Sequence, residues 1–193
     1  MTEHYFTPGS GRRREVTATV RGRELTFTTA DGVFSADGLD HATAILLEDS
    51  APPTSGRLLD LGCGWGPIAC TVAAASPDVE VWAVDVNPDA VALTAQNAER
   101  LGVEVRTALP DDLPTDLAFD HLWSNPPIRI GKAALHELLL TWLPRLATDG
   151  EARMVVGKNL GADSLQRWLT EQGWPTDRVA SARGFRVLRT VRP

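Results

Sequence analysis

The sequence is sparing in cysteine, in net positive charge and in long apolar stretches, and each scarcity excludes something. Two cysteines, Cys63 and Cys70, are too few for a disulfide scaffold. Neither has a neighbouring Cys or His at metal-ligand spacing, so free thiols and no metal are expected. No apolar run reaches the length of a membrane helix. The start, Met1-Thr2-Glu3-His4-Tyr5-Phe6, lacks the basic-then-apolar order of a signal peptide. A cytoplasmic protein without membrane contact is expected. The formal net charge is −6, which argues against a simple polybasic glove for nucleic acid. Internal repeats and low-complexity tracts are also lacking. What remains, 193 residues with 43% apolar and 23% charged, fits one soluble domain with a sizeable core.

One stretch organises that domain: Leu58-Leu59-Asp60-Leu61-Gly62-Cys63-Gly64-Trp65-Gly66-Pro67. It reads as a buried strand, a glycine turn and a helix start. Glycines permit a tight turn and the close approach of a ligand, and a helix N-terminus offers free N–H groups.

Around it the pattern alternates. A hairpin is expected over 16–29 and a helix over 38–48, with Leu39, Ala42, Ile45 and Leu46 on one face and Asp37 as its cap. Strands follow at 57–62, 80–86, 103–109, 119–124 and 152–156, with helices at 67–75, 88–101, 133–146 and 163–172 between or after them. Between 109 and 119 stands only an acidic turn, Pro110-Asp111-Asp112-Leu113-Pro114. The last strands, 178–182 and 185–191, have too little chain between them for a crossover, so they pair antiparallel. The expectation is one α/β domain over 1–193. Its mostly parallel seven-stranded sheet ends on an antiparallel strand and carries helices on both faces. Residues 1–50 form a hairpin-and-helix extension, and 51–193 the core.

In such a sheet ligands sit beyond the carboxyl ends of the strands. The first strand ends in Asp60, Gly62, Gly64 and Gly66. The second ends in Asp85, with Val86 and Asn87 after it. An acid 23 positions after Gly62 can accept both hydroxyls of a ribose. The spacing is G-x-G-x-G rather than the G-x-G-x-x-G of a dehydrogenase, and no cationic cluster is placed for a pyrophosphate.

With Asp60 two positions ahead of its glycines, the motif resembles that of the class I S-adenosylmethionine-dependent methyltransferases, whose Rossmann-like fold the strand pattern matches. The resemblance implies that S-adenosylmethionine is the cofactor. It places Asp60, Gly62, Cys63, Gly64 and Gly66 at the methionine end, Asp85 with Val86 and Asn87 at the ribose, and Ala108 and Leu109 beside the adenine. The fourth strand ends in Ser124-Asn125-Pro126-Pro127, similar to the N-P-P motif of amino-group methyltransferases. An exocyclic amino group is a weak nucleophile because its lone pair is delocalised. The Asn125 side-chain oxygen and a proline carbonyl can accept its two hydrogens and stabilise the charge that develops. In-line positioning supplies the rest. Asn125, Pro126 and Pro127 are thus the expected catalytic set, with Asn125 also beside the cofactor.

A wider set resembles the "methyltransferase small" domain, the catalytic half of bacterial enzymes that methylate guanine N2 in small-subunit ribosomal RNA. The set comprises His4-Tyr5-Phe6, Gly32-Val33-Phe34-Ser35, Leu39-Asp40, the Asp60 loop, Ser124–Pro127, Gly131-Lys132 and Lys158-Asn159-Leu160-Gly161. Those enzymes carry two tandem halves, whereas this chain has one. The family aromatic after N-P-P is Ile128 here. An apolar wall from Ile128, a ring from Phe34, Tyr5, Phe6 or Trp123, and phosphate contacts from Lys132 and Lys158 are the expected substrate contacts; packing and solvation are the ordinary roles of such residues. The same ordinary role is assigned to His41 and His136. The arginine-rich ends, Arg12 to Arg23 and Arg178 to Arg192, read either as solvated strands or as a phosphate rim. The expected partner is ribosomal RNA or the small subunit, approached by a monomer. Alternatives are adenine-N6 or protein glutamine-N5 methylation, a non-catalytic cofactor-binding RNA module, and more remotely a dehydrogenase. Covalent catalysis by Cys63 is not expected, because no thiol follows the fourth or fifth strand.

Overall fold

The computed structural model describes residues 12–193, so the expectations on His4, Tyr5 and Phe6 lie outside the described residues. Strands β1 (Arg13–Val20) and β2 (Arg23–Ala30) pair antiparallel around a two-residue turn, Arg21-Gly22. Both turn residues have positive φ, 50° and 74°, the sense of a type I′ turn that matches strand twist. The turn also holds the hairpin to the core. Arg21 donates to the carbonyls of Leu47, Glu48 and Ser50 at the end of helix α1 (His41–Asp49). Arg23 donates to the Ala74 carbonyl in the last turn of α2 (Pro67–Ala75). Each guanidinium satisfies carbonyls that a helix end leaves open and sits at the negative pole of the helix.

Seven strands form the main sheet: β3 (Arg57–Leu61), β4 (Glu80–Val84), β5 (Arg106–Ala108), β6 (Phe119–Ser124), β7 (Leu146–Gly157), β8 (Thr176–Ala182) and β9 (Phe185–Val191). Their spatial order is β5-β4-β3-β6-β7-β9-β8. β3 to β7 run parallel, and β9, last in the chain, lies antiparallel between β7 and β8. Adjacent strand residues feed opposite faces, as a period of two requires. Leu58, Trp123, Val155 and Val187 face α1 and α2. Leu59, Leu122, Met154 and Leu188 face α4 (Lys132–Trp142) and α5 (Ala162–Glu171). Both sides are buried, which explains the unbroken apolar runs of the central strands. The hairpin packs Phe27 edge-on to Trp65, ring centroids 4.9 Å apart, over α3 (Pro88–Leu101). No described helix is long and apolar enough to cross a membrane.

Several elements differ from expectation for identifiable reasons. α1 starts at His41, and Asp40, not Asp37, caps it by accepting the N–H groups of Ala42 and Thr43. Residues 31–38 are occupied by turns with Ser35 and Gly38 at positive φ, and Asp37 instead pairs with Arg14. α4 stops at Trp142, because Pro144 has no N–H to continue the ladder. β7 begins at Leu146 rather than 152. Asp149, at positive φ, and Gly150 belong to a local irregularity within the strand rather than to a turn before it. β5 is reduced to three residues. The link from β5 to β6 contains only the turn Pro110–Asp112, with Leu113 and Leu117 closing the core beneath it.

The chain passes from β3 outward to β4 and β5, then returns to the other flank of β3 as β6. The carboxyl ends of β3 and β6 therefore stand side by side where the winding reverses. A crevice opens there.

Candidate functional site

The glycine turn closes β3. The N–H groups of Gly62 and Cys63 both donate to the Val84 carbonyl at 2.8 and 3.1 Å, and Gly66 N–H donates to the Cys63 carbonyl at 2.9 Å. Gly62, Gly64 and Gly66 have φ of 79°, 57° and 87°, a region costly for any residue with a Cβ. The three are not equivalent. A Cβ on Gly66 would meet Thr94 Cγ2 at 2.9 Å, whereas one on Gly62 would meet nothing within 4 Å. Gly66 is a packing glycine, and Gly62 faces open space.

Two side chains of α3 brace the turn from behind. Thr94 Oγ1 donates to the Gly64 carbonyl at 3.1 Å. Asn97, fully buried, donates to the carbonyls of Trp65 and Thr28 at 2.7 and 2.8 Å and accepts Thr28 N–H. Turn, helix and hairpin are thereby joined at one amide.

Asp60 is wholly buried. Its Oδ2 accepts Ala69 N–H from the first turn of α2, and its Oδ1 has no partner among the described residues. Burial, partly offset by that hydrogen bond and reinforced by nearby Asp85, pushes its carboxyl up to about 8. Asp85, at the end of β4, accepts Gly64 N–H and Asn87 N–H. Burial raises its pKa as well. Burial also drives the Cys63 thiol well above its ordinary value, with Asp60 and Asp85 adding to the effect. A neutral, buried thiol is no nucleophile.

Across the crevice, Ser124 Oγ donates to the Leu61 carbonyl at 2.7 Å and ties the end of β6 to that of β3. Asn125 follows. Its Nδ2 donates to Asp40 Oδ2 at 2.9 Å and to Thr43 Oγ1 at 3.0 Å. A carboxylate can only accept, so the amide nitrogen must face Asp40 and the oxygen is left as the outward acceptor. Pro127 has φ −74° and ψ 73°, an inverse γ-turn. Ile128 N–H closes it on the Pro126 carbonyl at 2.8 Å. That carbonyl keeps a second lone pair.

Phe34, Ser35, Asp40, Thr43, Asn125 and the glycine turn with the start of α2 (Gly62 to Trp65, Pro67 and Ile68) line one small open cleft. Among the expected site residues, this cleft joins Phe34, Gly62, Cys63, Gly64 and Asn125. Phe34 is 59% exposed at its mouth. Trp123 is fully buried and cannot stack on a base. Ile128 packs against the core on the α4 side. The Asn87 oxygen caps α3 through Asp89 N–H, and exposed Val86 lies beside it. Ala108 is buried at the end of β5, with Leu109 next to it. Lys132, the first residue of α4, and Lys158, in the turn after β7, are exposed and lie outside the cleft lining. His136 stacks on Trp168 at 3.4 Å, and His41 opens α1. The hold of Asp40 and Thr43 on Asn125 was not read from the sequence; the cap pattern Asp40-x-x-Thr43 is the signal that locates half of it. Among the described residues no cluster of three His, Cys, Asp or Glu could hold a metal ion.

A family model, the methyltransferase small domain, matches residues 24–189. The chain belongs to this family. This methyltransferase small domain is 30% identical to the uncharacterised protein YbxB of Bacillus subtilis over 98% of both chains. It is 33% identical to the ribosomal RNA small subunit methyltransferase C of Citrobacter koseri, matching over 89% of this chain and 51% of that one. It therefore spans about half the length of that enzyme. Among solved structures, a 16S rRNA N2 methyltransferase of T. thermophilus, in complex with AdoMet and guanosine, superposes with a TM-score of 0.79 at 23% identity. It covers 97% of this chain and 52% of that one, and shows the shared fold.

S-adenosylmethionine, the methyl donor of this class, fits the residues present. The unpartnered Asp60 Oδ1 suits a cationic amino group, the open side of Gly62 a close-lying ligand, and the spare lone pairs of Asp85 a diol.

Proposed function

We propose that this chain methylates an exocyclic amino group of a ribosomal RNA base, the N2 of a guanine in small-subunit rRNA, with S-adenosylmethionine as donor. The observation that carries the reading is the clamped amide of Asn125, its oxygen turned outward beside the glycine turn. When bound, S-adenosylmethionine supplies an electrophilic methyl group on a sulfonium. Asp60 and the glycine turn would hold its amino-acid end, and Asp85 its ribose. Ala108 and Leu109 would border its adenine.

The protein's own part is acceptor positioning. Asn125 Oδ1 accepts one N–H of the target amino group, and the Pro126 carbonyl accepts the other. This pair turns the nitrogen lone pair away from the protein and toward the donor side. It also stabilises the positive charge that grows on nitrogen. The oxygen need not reorganise, since Asp40 and Thr43 already hold the amide. The product amine loses its extra proton to water, so no strong base is required. Phe34 offers an exposed ring at the cleft mouth for the flat face of the base.

Transfer of tritiated methyl to small-subunit rRNA lacking its natural methyl groups, followed by nucleoside mass spectrometry, tests the reading. N2-methylguanosine is expected. Label in N6-methyladenosine, or in protein, overturns it.

A further inference from the structure

The rim at the carboxyl ends of the strands is divided by charge. On the β3–β5 side it carries Asp85, Asp89 in the first turn of α3, and Asp111 and Asp112 in the turn after β5. On the β6–β9 side, segments 125–133, 157–162 and 182–185 contain no acid at all. Those segments instead carry four exposed cations, Arg129, Lys132, Lys158 and Arg183. None is paired with a carboxylate among the described residues. The topology gathers them. Arg129 and Lys132 follow β6, Lys158 follows β7, and Arg183 forms the β8–β9 turn, where Lys158 N–H donates to the Gly184 carbonyl at 2.8 Å. Ile130 and Leu160, 41% and 54% exposed, lie among them.

Several other arginines of the chain ends behave otherwise. Arg14 pairs with Asp31 and Asp37, and Arg21 and Arg23 cap helix ends. Arg186 pairs with Asp163, and Arg189 with Glu151. Those groups are occupied by the fold. Four cations without a carboxylate partner among the described residues thus stand together on the acceptor side of the crevice.

We propose that Arg129, Lys132, Lys158 and Arg183 form a backbone track for an RNA strand, which enters the site over β6, β7 and β9. The inference rests on the proposed RNA substrate and deepens it. Phosphates bind the basic half of the rim. The acidic half repels them and keeps the polyanion off the pocket reserved for a cationic donor. Contacts of this kind are independent of base sequence and position the strand, leaving the choice of base to the cleft.

Anisotropy of a labelled single-stranded RNA of mixed sequence, titrated across a range of potassium chloride, tests the track. The variant combines Arg129→Gln, Lys132→Gln, Lys158→Gln and Arg183→Gln. It is expected to bind on the order of a hundredfold more weakly near physiological salt, and its log–log salt slope is expected to fall by about 3. Calorimetry should give unchanged affinity for S-adenosylhomocysteine, which shows that the fold and donor pocket survive. The control, Arg167→Gln with Arg178→Gln, should bind RNA as the parent does. Equal RNA binding by parent and rim variant, equal loss in the control, or no RNA binding by the parent overturns the track. RNA binding that follows the rim cations without methyl transfer to rRNA supports the track and overturns the reading on which it rests.

Discussion

At Asn125 the amide has two orientations, and Asp40 selects one. Asp40 Oδ2 receives three donors, two from the start of α1 and one from Asn125. The roles can be separated. Asp40→Ser keeps a good helix cap but is too short to reach Asn125. It should cost under about 1 kcal/mol in denaturant unfolding and lower kcat on the order of tenfold to a hundredfold, with donor affinity unchanged. Asp40→Asn, which retains an acceptor at the same atom, should recover most of the loss. Asn125→Ala removes the acceptor itself, and kcat should fall by on the order of 10²–10³ in single-turnover transfer. At Asp60 the issue is protonation. Its carboxyl, raised from 3.8 to about 8, holds a proton in the fold more tightly than in the unfolded chain. The stability it contributes is complete below about pH 4 and lost as pH rises through about 8. Melting temperature should therefore decline between pH 5 and 9, and Asp60→Asn should flatten that decline. A cationic ligand favours the ionised carboxyl. Affinity for S-adenosylhomocysteine should accordingly rise from pH 6 to 8, with proton release measurable by calorimetry in buffers of different ionisation enthalpy.

The glycine turn is the element on which the proposed cofactor site and the core meet, and its residues differ in what stands behind them. Gly66→Ala drives a Cβ into Thr94 at positive φ. Roughly 2 kcal/mol or more of stability should be lost in urea unfolding. Gly62→Ala suffers only the backbone penalty, about 1 kcal/mol, because nothing stands within 4 Å of its Cβ. Its larger effect should fall on donor affinity, read by calorimetry, since the added methyl would occupy the open side of the turn where the proposed donor lies. If Gly62→Ala binds donor as the parent does, the ligand does not approach there. The G-x-G-x-G spacing cannot tell these glycines apart. Their difference comes from α3, whose Thr94 packs behind one of them and not the other.

For the molecule as a whole, a ligand that binds only the folded state raises stability by about 2.7 kcal/mol at a hundred times its Kd. S-adenosylhomocysteine should raise the melting temperature by several degrees in a thermal-shift assay, and NAD should leave it unchanged. Much of the architecture was legible along the chain. The alternation of strands and helices, the short final link that makes β9 antiparallel, and Pro88 and Gly102 at the ends of α3 all follow from local rules of period and turn. The cap at Asp40, the irregular start of β7 and the loss of Asn87's oxygen to α3 were not legible. Each depends on which competing partner lies nearest in space. The arginine-rich chain ends illustrate the same limit. Composition marks them as basic, but only the fold pairs Arg14, Arg186 and Arg189 with acids distant in sequence, and leaves Arg129, Lys132, Lys158 and Arg183 uncompensated. By itself the sequence determined the sheet, the glycine turn at one strand end and the Asn-Pro-Pro at another, because periodicity and backbone freedom are properties of neighbouring residues. The tertiary structure alone decided which way Asn125 points, whether Asp60 keeps its proton and where positive charge stays free. Orientation, burial and charge pairing are set by groups far apart in the chain.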